Sequence, residues 1–149
     1  MDLRKYKALI FDLFHTLTSV ESARAPGKGT SAILRVSRKD WNAQLLKYSY
    51  DRLRGKIKDP YKIIKKMAHA INSNISEEII KEATDTRMFR FKYSLRHIDP
   101  SVLDTLAKLK DMGKLIGLIS NGDVHEVAGW DESPLSKYFN SVIFSCNVG

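Results

Sequence analysis

The chain has little of what a secreted or membrane-spanning protein needs. Its 149 residues include a single cysteine, Cys146, so an internal disulfide is impossible. No apolar run approaches the roughly 20 residues that a transmembrane helix requires. The first residues are charged, and the apolar run after them is too short and too poorly flanked for a signal peptide. These absences argue against a disulfide scaffold and a membrane protein, and they predict a cytoplasmic location.

Acidic residues are outnumbered, with 17 Asp and Glu against 25 Lys and Arg, for a formal net charge of +8. Such a surplus attracts anions, including phosphorylated metabolites and nucleic acids. The densest basic stretch, residues 87–97, interleaves cations with aromatic side chains, as surfaces that bind single-stranded nucleic acid do. The same residues also fit an amphipathic helix whose basic face lies in water, and we favour this interpretation. We therefore expect a small anionic substrate rather than a nucleic acid as partner.

Two apolar runs end on polar side chains. Residues 6–11 lead into Asp12, and residues 115–119 lead into Ser120 and Asn121. A helix that ends at Gly113 runs directly into the second strand, so the two strands should be parallel. Parallel strands meet at their carboxyl ends, which places all three side chains at one sheet edge. A third strand is predicted at residues 141–145.

Helical patterns occupy most of the segment between these two strands. Three predicted helices there begin at a residue whose side chain can cap them: Ser37, Asp59 and Ser76. Another begins at Asp99, and Ser133 is expected to open a short one. We predict that residues 19–96 form an inserted helical cap, and that residues 1–18 and 97–149 form the core.

The polar side chains at this edge suit chemistry on an anion. The carboxylate of Asp12 is a possible nucleophile, and the Thr16 hydroxyl can orient the attacking oxygen. Backbone N–H groups of residues 13–16 are candidates for an anion-binding concavity. Ser120 and Asn121 can each donate a hydrogen bond to an oxyanion. Turn formation alone explains the polar residues at the end of either strand as well as a functional site does. The presence of such residues at the ends of both strands favours a site.

Two segments resemble motifs of a known family. Residues 9–17, LIFDLFHTL, resemble the nucleophile motif of the haloacid dehalogenase-like (HAD) hydrolase superfamily, and residues 115–123, LIGLISNGD, resemble its second motif. The tail, residues 138–149, is similar to the stretch that leads to the third motif. The resemblance spans the whole chain. It implies an α/β fold, a Rossmann-like doubly wound parallel sheet that is incomplete at the C-terminus, with an inserted α-helical cap.

The resemblance also implies a mechanism. By analogy, Asp12 attacks a small phosphorylated or halogenated substrate to give a covalent aspartyl intermediate. Thr16 and Ser120 help to bind the anion, Asn121 supports that site, and the cap selects the substrate. Most members are phosphotransferases that hold magnesium, and a minority are dehalogenases that attack carbon without it. The Asp12 carboxylate and the Phe14 carbonyl would be magnesium ligands, conditional on further ligands beyond Gly149.

Two positions depart from the family pattern. Phosphatases carry a second aspartate where this chain has Phe14, and a phenyl ring cannot transfer a proton. His15 is the nearest titratable alternative. An aromatic residue at this position resembles the dehalogenase pattern, which implies substrate contacts for Phe14, for Trp41 and for the residue after it, Asn42. Those enzymes place an arginine directly after the tryptophan, but this chain has Asn42, which has no charge to hold a carboxylate or halide. Phosphatase and dehalogenase therefore both stay open.

The chain ends where the family places a lysine and then an acidic pair. If the sequence is complete, we expect negligible turnover, because the charges that stabilise the transition state are missing. The outer edge of the first strand would also lie open, which predicts a homodimer or a domain swap. The alternative to an enzyme is a catalytically dead relative that binds an anion or a partner protein. A basic nucleic-acid-binding module ranks third.

Overall fold

A computed structural model describes residues 5–18 and 25–149. Its strands are β1 (Ala8–Phe11), β2 (Leu115–Ser120) and β3 (Ser141–Phe144). Between β1 and β2 lie α1 (Thr30–Ile33), α2 (Arg38–Lys47), α3 (Ser49–Leu53), α4 (Pro60–Ile71), α5 (Glu77–Arg96) and α6 (Pro100–Asp111). After β2 come α7 (Val124–Val127), two 3-10 turns (Trp130–Glu132 and Ser136–Tyr138) and α8 (Ser145–Val148). None of the described helices combines the length and the apolarity needed to cross a bilayer.

The three strands form one parallel sheet in the order β1-β2-β3. Ala8 pairs with Leu115 and Phe11 with Leu118, which places the carboxyl ends of β1 and β2 at the same edge. On the other side of β2, Ser120 pairs with Phe144. The predicted α/β class with parallel strands is confirmed.

Local capping chemistry explains where the helices begin. The side chains of Ser37, Asp59 and Ser76 each accept a hydrogen bond from a backbone N–H of the first turn, as predicted. Asp99 caps α6 in the same way, and Gly113 follows that helix with φ 71°, in the left-handed region that favours glycine.

The expected short helix after Ser133 is instead the 3-10 turn Ser136–Tyr138. The hydroxyl of Ser133 donates to the Leu95 carbonyl at 2.6 Å and accepts from the Leu135 N–H at 3.3 Å. Ser133 therefore anchors this segment to α5, and the helical turn starts later than the sequence suggested.

Buried apolar side chains form two clusters. The sheet cluster comprises Leu13, Leu17, Leu95, Leu106, Leu109, Ile116, Leu118, Trp130, Leu135, Phe144 and Cys146. The cluster of the helical layer, our name for α1 to α5, comprises Ile33, Leu34, Trp41, Ile63, Ile64, Met67, Ala68, Ile75, Ile80 and Ala83. Val124 contacts both clusters. The division into core (1–18, 97–149) and cap (19–96) stays a prediction, and residues 1–4 and 19–24 lie outside the described ranges.

One face of the sheet is apolar and open in the described part of the chain. Alternate strand residues point to it, and Ile10, Ile119 and Ile143 are 69%, 52% and 39% exposed. Among the described residues, β1 has β2 as its one hydrogen-bonded neighbour, so the outer edge of β1 is unpaired.

Candidate active site at the ends of β1 and β2

Asp12 directly follows β1, with its side chain exposed. The next residue, Leu13, is fully buried, and its carbonyl accepts hydrogen bonds from the N–H groups of Leu17 at 2.9 Å and Thr18 at 3.1 Å. The Thr16 N–H also points to this carbonyl, at 3.4 Å. The chain thus turns back tightly after Asp12. The Thr16 amide serves that turn rather than the predicted anion-binding concavity.

His15 has a backbone conformation that is unusual for a residue other than glycine. Its φ of 61° lies in the left-handed region, which costs a residue with a side chain roughly 1 kcal/mol or more. Strain of this kind recurs in loops that carry functional groups, where the surrounding structure enforces it. Here it reverses the chain between Asp12 and the exposed Thr16. The His15 side chain is exposed as well.

The end of β2 carries an unusual buried hydroxyl. Ser120 is 3% exposed, and its Oγ has no hydrogen-bond partner among the described residues. Asn121 follows with an exposed side chain, and the N–H of Gly122 donates to Ser145 Oγ at 3.2 Å. A buried polar group without a partner is costly, so one that persists calls for an explanation. An anion bound at this edge would supply the missing acceptor.

The loops after β1 and β2 touch each other. A Cβ on Gly122 would lie 2.9 Å from Val127 Cγ1 and 3.3 Å from Phe14 Cε2, so a larger residue does not fit there. The ring of Phe14 also packs edge-on against Phe91 of α5, with 6.1 Å between ring centroids. Phe14 therefore joins both loops to the helical layer, and its predicted contact with the substrate stays a prediction.

The predicted magnesium ligands do not complete a site by themselves. Within residues 5–18 and 25–149, no three His, Cys, Asp or Glu side chains are grouped to hold a metal. Magnesium demands near-octahedral oxygen ligation, and the Asp12 carboxylate with the Phe14 carbonyl supplies a minority of it. The donor set of the described residues therefore does not fit a complete magnesium site.

A buried ionic cluster follows the β2 loop in the chain, and the sequence patterns did not predict most of its residues. Asp123 is fully buried and forms an ion pair with Arg52 of α3. Glu126 lies 3.0 Å from Nη2 of Arg87 on α5 and 3.5 Å from Nη1 of Arg52. Two cations of the helical layer therefore meet two acids of the sheet side.

The cluster also defines how α7 begins. Asp123 Oδ1 accepts from the backbone N–H groups of His125 at 2.9 Å and Glu126 at 3.1 Å. Glu126 Oε2 accepts in return from the Asp123 N–H at 2.8 Å, which completes a capping box. The sequence signal was an aspartate followed three residues later by a glutamate. His125 is fully buried, with its ring Nδ1 3.3 Å from Asp123 Oδ1.

The pKa values of the two acids, Asp123 and Glu126, are shifted in opposite directions. Burial opposes ionisation of Asp123, but the His125 ring and the charges of Arg87 and Arg52 outweigh it and hold the pKa well below its ordinary value. Burial, followed by the neighbouring negative charge of Asp123, raises the pKa of Glu126. Burial also raises the pKa of the Cys146 thiol, so the chain's one cysteine is a poor nucleophile.

Trp41 and Asn42, two of the predicted substrate-binding residues, are neighbours on α2. They line a cavity of about 610 Å³ in the helical layer, whose wall includes Arg87 and Arg90 of α5. Both arginines are buried, although the sequence suggested that the basic face of this helix lies in water. Arg90 Nη1 donates to the carbonyls of residues 25–27 at 3.0 to 3.2 Å, and so fixes the chain that enters α1.

Removal of the Ser120 hydroxyl should not destabilise the protein. We expect Ser120→Ala to leave the free energy of unfolding unchanged or raise it by up to about 1 kcal/mol, because the hydroxyl is buried with no hydrogen-bond partner in residues 5–18 and 25–149. Urea denaturation measures this. Ser133→Ala is the control, since its bonded hydroxyl should cost about 1–2 kcal/mol. Equal losses in both variants would contradict the prediction.

Comparison with known proteins places the fold. No family model matches the sequence, and no curated protein matches it. Among solved structures, a HAD-family enzyme from Bacteroides thetaiotaomicron superposes with a TM-score of 0.64 and 19% identity, over 95% of this chain and 69% of that one. Another structure of that enzyme, in complex with magnesium and inorganic phosphate, gives a TM-score of 0.58 at 16% identity, over 95% of this chain and 70% of that one.

A dehalogenase shares the fold as well. An L-2-haloacid dehalogenase superposes with a TM-score of 0.56 and 19% identity, over 95% of this chain and 65% of its own. The chain thus spans about two thirds of the length of these neighbours. It has the haloacid dehalogenase-like fold, as the sequence resemblance predicted.

Proposed function

We propose that this chain is a haloacid dehalogenase-like hydrolase, or the part of one that carries the nucleophile, and that it acts on a small phosphorylated or halogenated substrate. The observation that carries the proposal is the convergence of Asp12 and Ser120 at one sheet edge. Asp12 is exposed directly after β1, and the Ser120 hydroxyl, which has no hydrogen-bond partner in the described part of the chain, ends the neighbouring β2. The fold shared with HAD-family enzymes supports it.

In the proposed reaction, an Asp12 oxygen attacks phosphorus or carbon, and the bond from that atom to the leaving group breaks. Thr16 orients the attacking carboxylate, and Ser120 and Asn121 donate hydrogen bonds to the substrate anion. Water then hydrolyses the aspartyl intermediate and restores Asp12. A halide leaves as a stable anion, whereas an alkoxide needs a proton that the phenyl ring of Phe14 cannot give.

Trapping the intermediate tests the nucleophile and separates the two substrate classes. The protein as expressed from its gene would be incubated with p-nitrophenyl phosphate or 2-chloropropionate, quenched in acid and digested. We expect the peptide that contains Asp12 to gain the mass of a phosphoryl group or of a carboxyalkyl ester, respectively. Tandem mass spectrometry locates the added mass. An adduct on another residue would overturn the assignment of Asp12.

The 149-residue form is a separate case in this proposal. We expect it to turn over little of the phosphate ester, because Phe14 provides no proton and the described residues do not complete a magnesium site. We expect it to turn over little of the haloacid, because Asn42 has no charge to hold a carboxylate or halide. Binding of the substrate without an adduct or turnover, in every form expressed, would favour the alternative of a catalytically dead anion-binding relative. Sustained turnover by the 149-residue form would contradict the expectation.

We also propose that two copies associate, as a homodimer or a domain swap, through the outer edge of β1 and the apolar sheet face beside it. An unpaired strand edge beside an apolar face is a template for pairing. Sedimentation should show a homodimer or larger species, and Ile10→Glu should shift it to monomer because Ile10 is 69% exposed on this face. Leu46→Glu is the control, since Leu46 is 77% exposed on α2. A monodisperse wild-type monomer would contradict self-association.

A further inference from the structure

We propose that a basic surface of the helical layer binds single-stranded nucleic acid, with phosphates on its cations and bases stacked on its tyrosines. The surface is formed by the end of α2, by α3 with the turn after it, and by α4. The residues of this basic surface are Lys47, Tyr48, Tyr50, Arg54, Lys56 and Lys66. They are separate from the residues of the proposed reaction, so this inference goes beyond the proposed function.

The positive charge of the chain is concentrated in this part of the sequence. Residues 47–66 include eight of the 25 Lys and Arg residues and two of the 17 Asp and Glu residues, a net charge of +6 against +8 for the whole chain. The four cations of the basic surface are all exposed. A local surplus of cations in water creates the positive potential that attracts polyanions.

Contacts between the helices join these side chains into one surface. Lys47 Nζ lies 5.6 Å and Lys66 Nζ 4.9 Å from the centre of the Tyr48 ring, which connects the end of α2 with α4. Tyr48, Lys66 and Asp51 line the same small crevice. Asp51 Oδ1 in turn pairs with Lys56 Nζ at 3.1 Å. The basic surface is therefore continuous from α4 to the turn after α3.

Tyr50 provides a platform on which an unpaired base can stack. It is 60% exposed, and Arg54 Cζ and Lys56 Nζ lie 4.9 and 4.8 Å from the centre of its ring. Cation–π contacts at exposed sites are weak, and both cations end long, flexible side chains. In the proposed complex a base takes the face of the ring, and Arg54 and Lys56 turn from the ring to the phosphates beside that base.

The tyrosines among the cations favour a single strand over other polyanions. Acidic peptides and anionic lipid headgroups would satisfy the charge, but a nucleic acid supplies an aromatic base beside every phosphate. A duplex keeps its bases paired and stacked on each other, so they are not free to stack on tyrosine. The basic stretch at residues 87–97 does not provide this surface, because its Arg87 and Arg90 are buried.

Fluorescence anisotropy tests the proposal with the 149-residue chain and a fluorescein-labelled thymidine oligonucleotide of roughly 12 nucleotides. The oligonucleotide carries no terminal phosphate monoester, so it offers the proposed active site no substrate. The logarithm of the association constant should fall with the logarithm of the salt concentration with a slope of about −3, because four cations each contribute about 0.7. Between roughly 50 and 200 mM salt the affinity should drop about 50-fold.

Two double variants locate the phosphate contacts. Lys47→Gln/Lys66→Gln should weaken binding and make the salt slope shallower by about 1.4, because two phosphate contacts are lost. Lys108→Gln/Lys137→Gln is the matched control, since it removes the same charge at exposed positions outside the basic surface. Lys137 also lies beside a tyrosine ring, 5.1 Å from the centre of Tyr138. The control should keep the slope of the wild type.

Substitution of Tyr50 separates stacking from charge. Tyr50→Ala should weaken binding about fivefold or more and leave the salt slope unchanged, because a stacking platform is lost and no charge is removed. Tyr50→Phe should bind like the wild type, since it keeps the ring and loses only the hydroxyl that accepts a hydrogen bond from Arg54. Circular dichroism shows that each variant is folded, which is expected because the substituted side chains other than half-buried ones are exposed.

Competition identifies the class of polyanion. Unlabelled single strand should displace the labelled oligonucleotide better than a duplex, polyglutamate or phosphatidylserine vesicles of equal charge. The proposal fails if one of these competes equally well, if the oligonucleotide does not bind at low salt, if both double variants change the slope alike, or if Tyr50→Ala binds like the wild type. Because turnover is not measured, these outcomes are independent of whether Asp12 is a nucleophile.

Discussion

Asp12→Asn is expected to lower turnover by at least about 10³-fold with whichever substrate class the protein accepts, because an amide oxygen is a far weaker nucleophile than a carboxylate. The loss should appear in kcat and in kcat/KM, since the attacking atom acts in the transition state. Asp12 is exposed and lies just outside β1, so the free energy of unfolding should change by about 0.5 kcal/mol or less. Steady-state kinetics and urea denaturation of the same preparation measure the two quantities.

Asp131→Asn is the matched control for this variant. Asp131 is another exposed aspartate, and it belongs to the 3-10 turn Trp130–Glu132 rather than to the loops after β1 and β2. It should keep full turnover. Retention of activity in Asp12→Asn would place the nucleophile elsewhere and would remove the basis of the proposed reaction.

Asp123→Ala is expected to cost about 3–5 kcal/mol of unfolding free energy, the largest stability effect of any polar substitution discussed. The variant leaves the buried Arg52 without its main partner and removes the cap of α7. Arg52 belongs to the helical layer and Asp123 to the sheet side, so the loss should also loosen their contact. Urea denaturation and limited proteolysis measure the two effects.

A second set of variants divides this loss of stability between the charge of Asp123 and its role as the cap of α7. Asp123→Asn keeps an oxygen for the α7 cap and removes only the charge, so the difference from Asp123→Ala isolates the cap. Asp85→Ala is the control, because its i,i+4 ion pair with Lys81 is exposed and should contribute about 0.5 kcal/mol or less. A cost for Asp123→Ala as small as that of Asp85→Ala would show that the buried cluster does not hold the two parts together.

The same ionic cluster determines how the stability of the folded protein changes in acid. The pKa of Asp123 is depressed in the folded state, so its ionisation contributes stability above the ordinary value of 3.8 that is lost as pH falls below it. The pKa of Glu126 is raised, so its contribution has the opposite sign and declines as pH rises through 4.5 and beyond. Asp123→Asn should therefore lose less stability between neutral pH and acid than the wild type does.

Local signals predicted the parts of the fold that depend on neighbours in sequence. Ser37, Asp59 and Asp99 cap helices because each side chain reaches a backbone N–H two or three residues ahead. The positions of Asp12 and Ser120 followed from a different rule, that parallel strands end at one edge, and the strand register agrees with it.

These local signals did not predict contacts between residues that are far apart in the sequence. The periodicity of α5 placed Arg87 in water, because its partner Glu126 belongs to a different element. Arg90 is buried for a similar reason, since its guanidinium bonds to carbonyls of residues 25–27. A helical pattern predicts that a cationic side chain lies at the surface. It can be buried only beside an acid or a carbonyl that compensates the cost of burial, and the sequence does not show which residue that is. The cavity beside these arginines was invisible in the sequence for the same reason.

The register of β1 has a consequence for the order in which the molecule assembles. Ala8 must find Leu115, so pairing has to bring together segments on either side of the entire helical layer. Helices α4 and α5, by contrast, are sequence neighbours that pack on each other. Contacts between near neighbours close small loops and form quickly, while distant strand pairs form slowly. The edge that presents Asp12 should thus be completed late, after α4 and α5 have packed on each other.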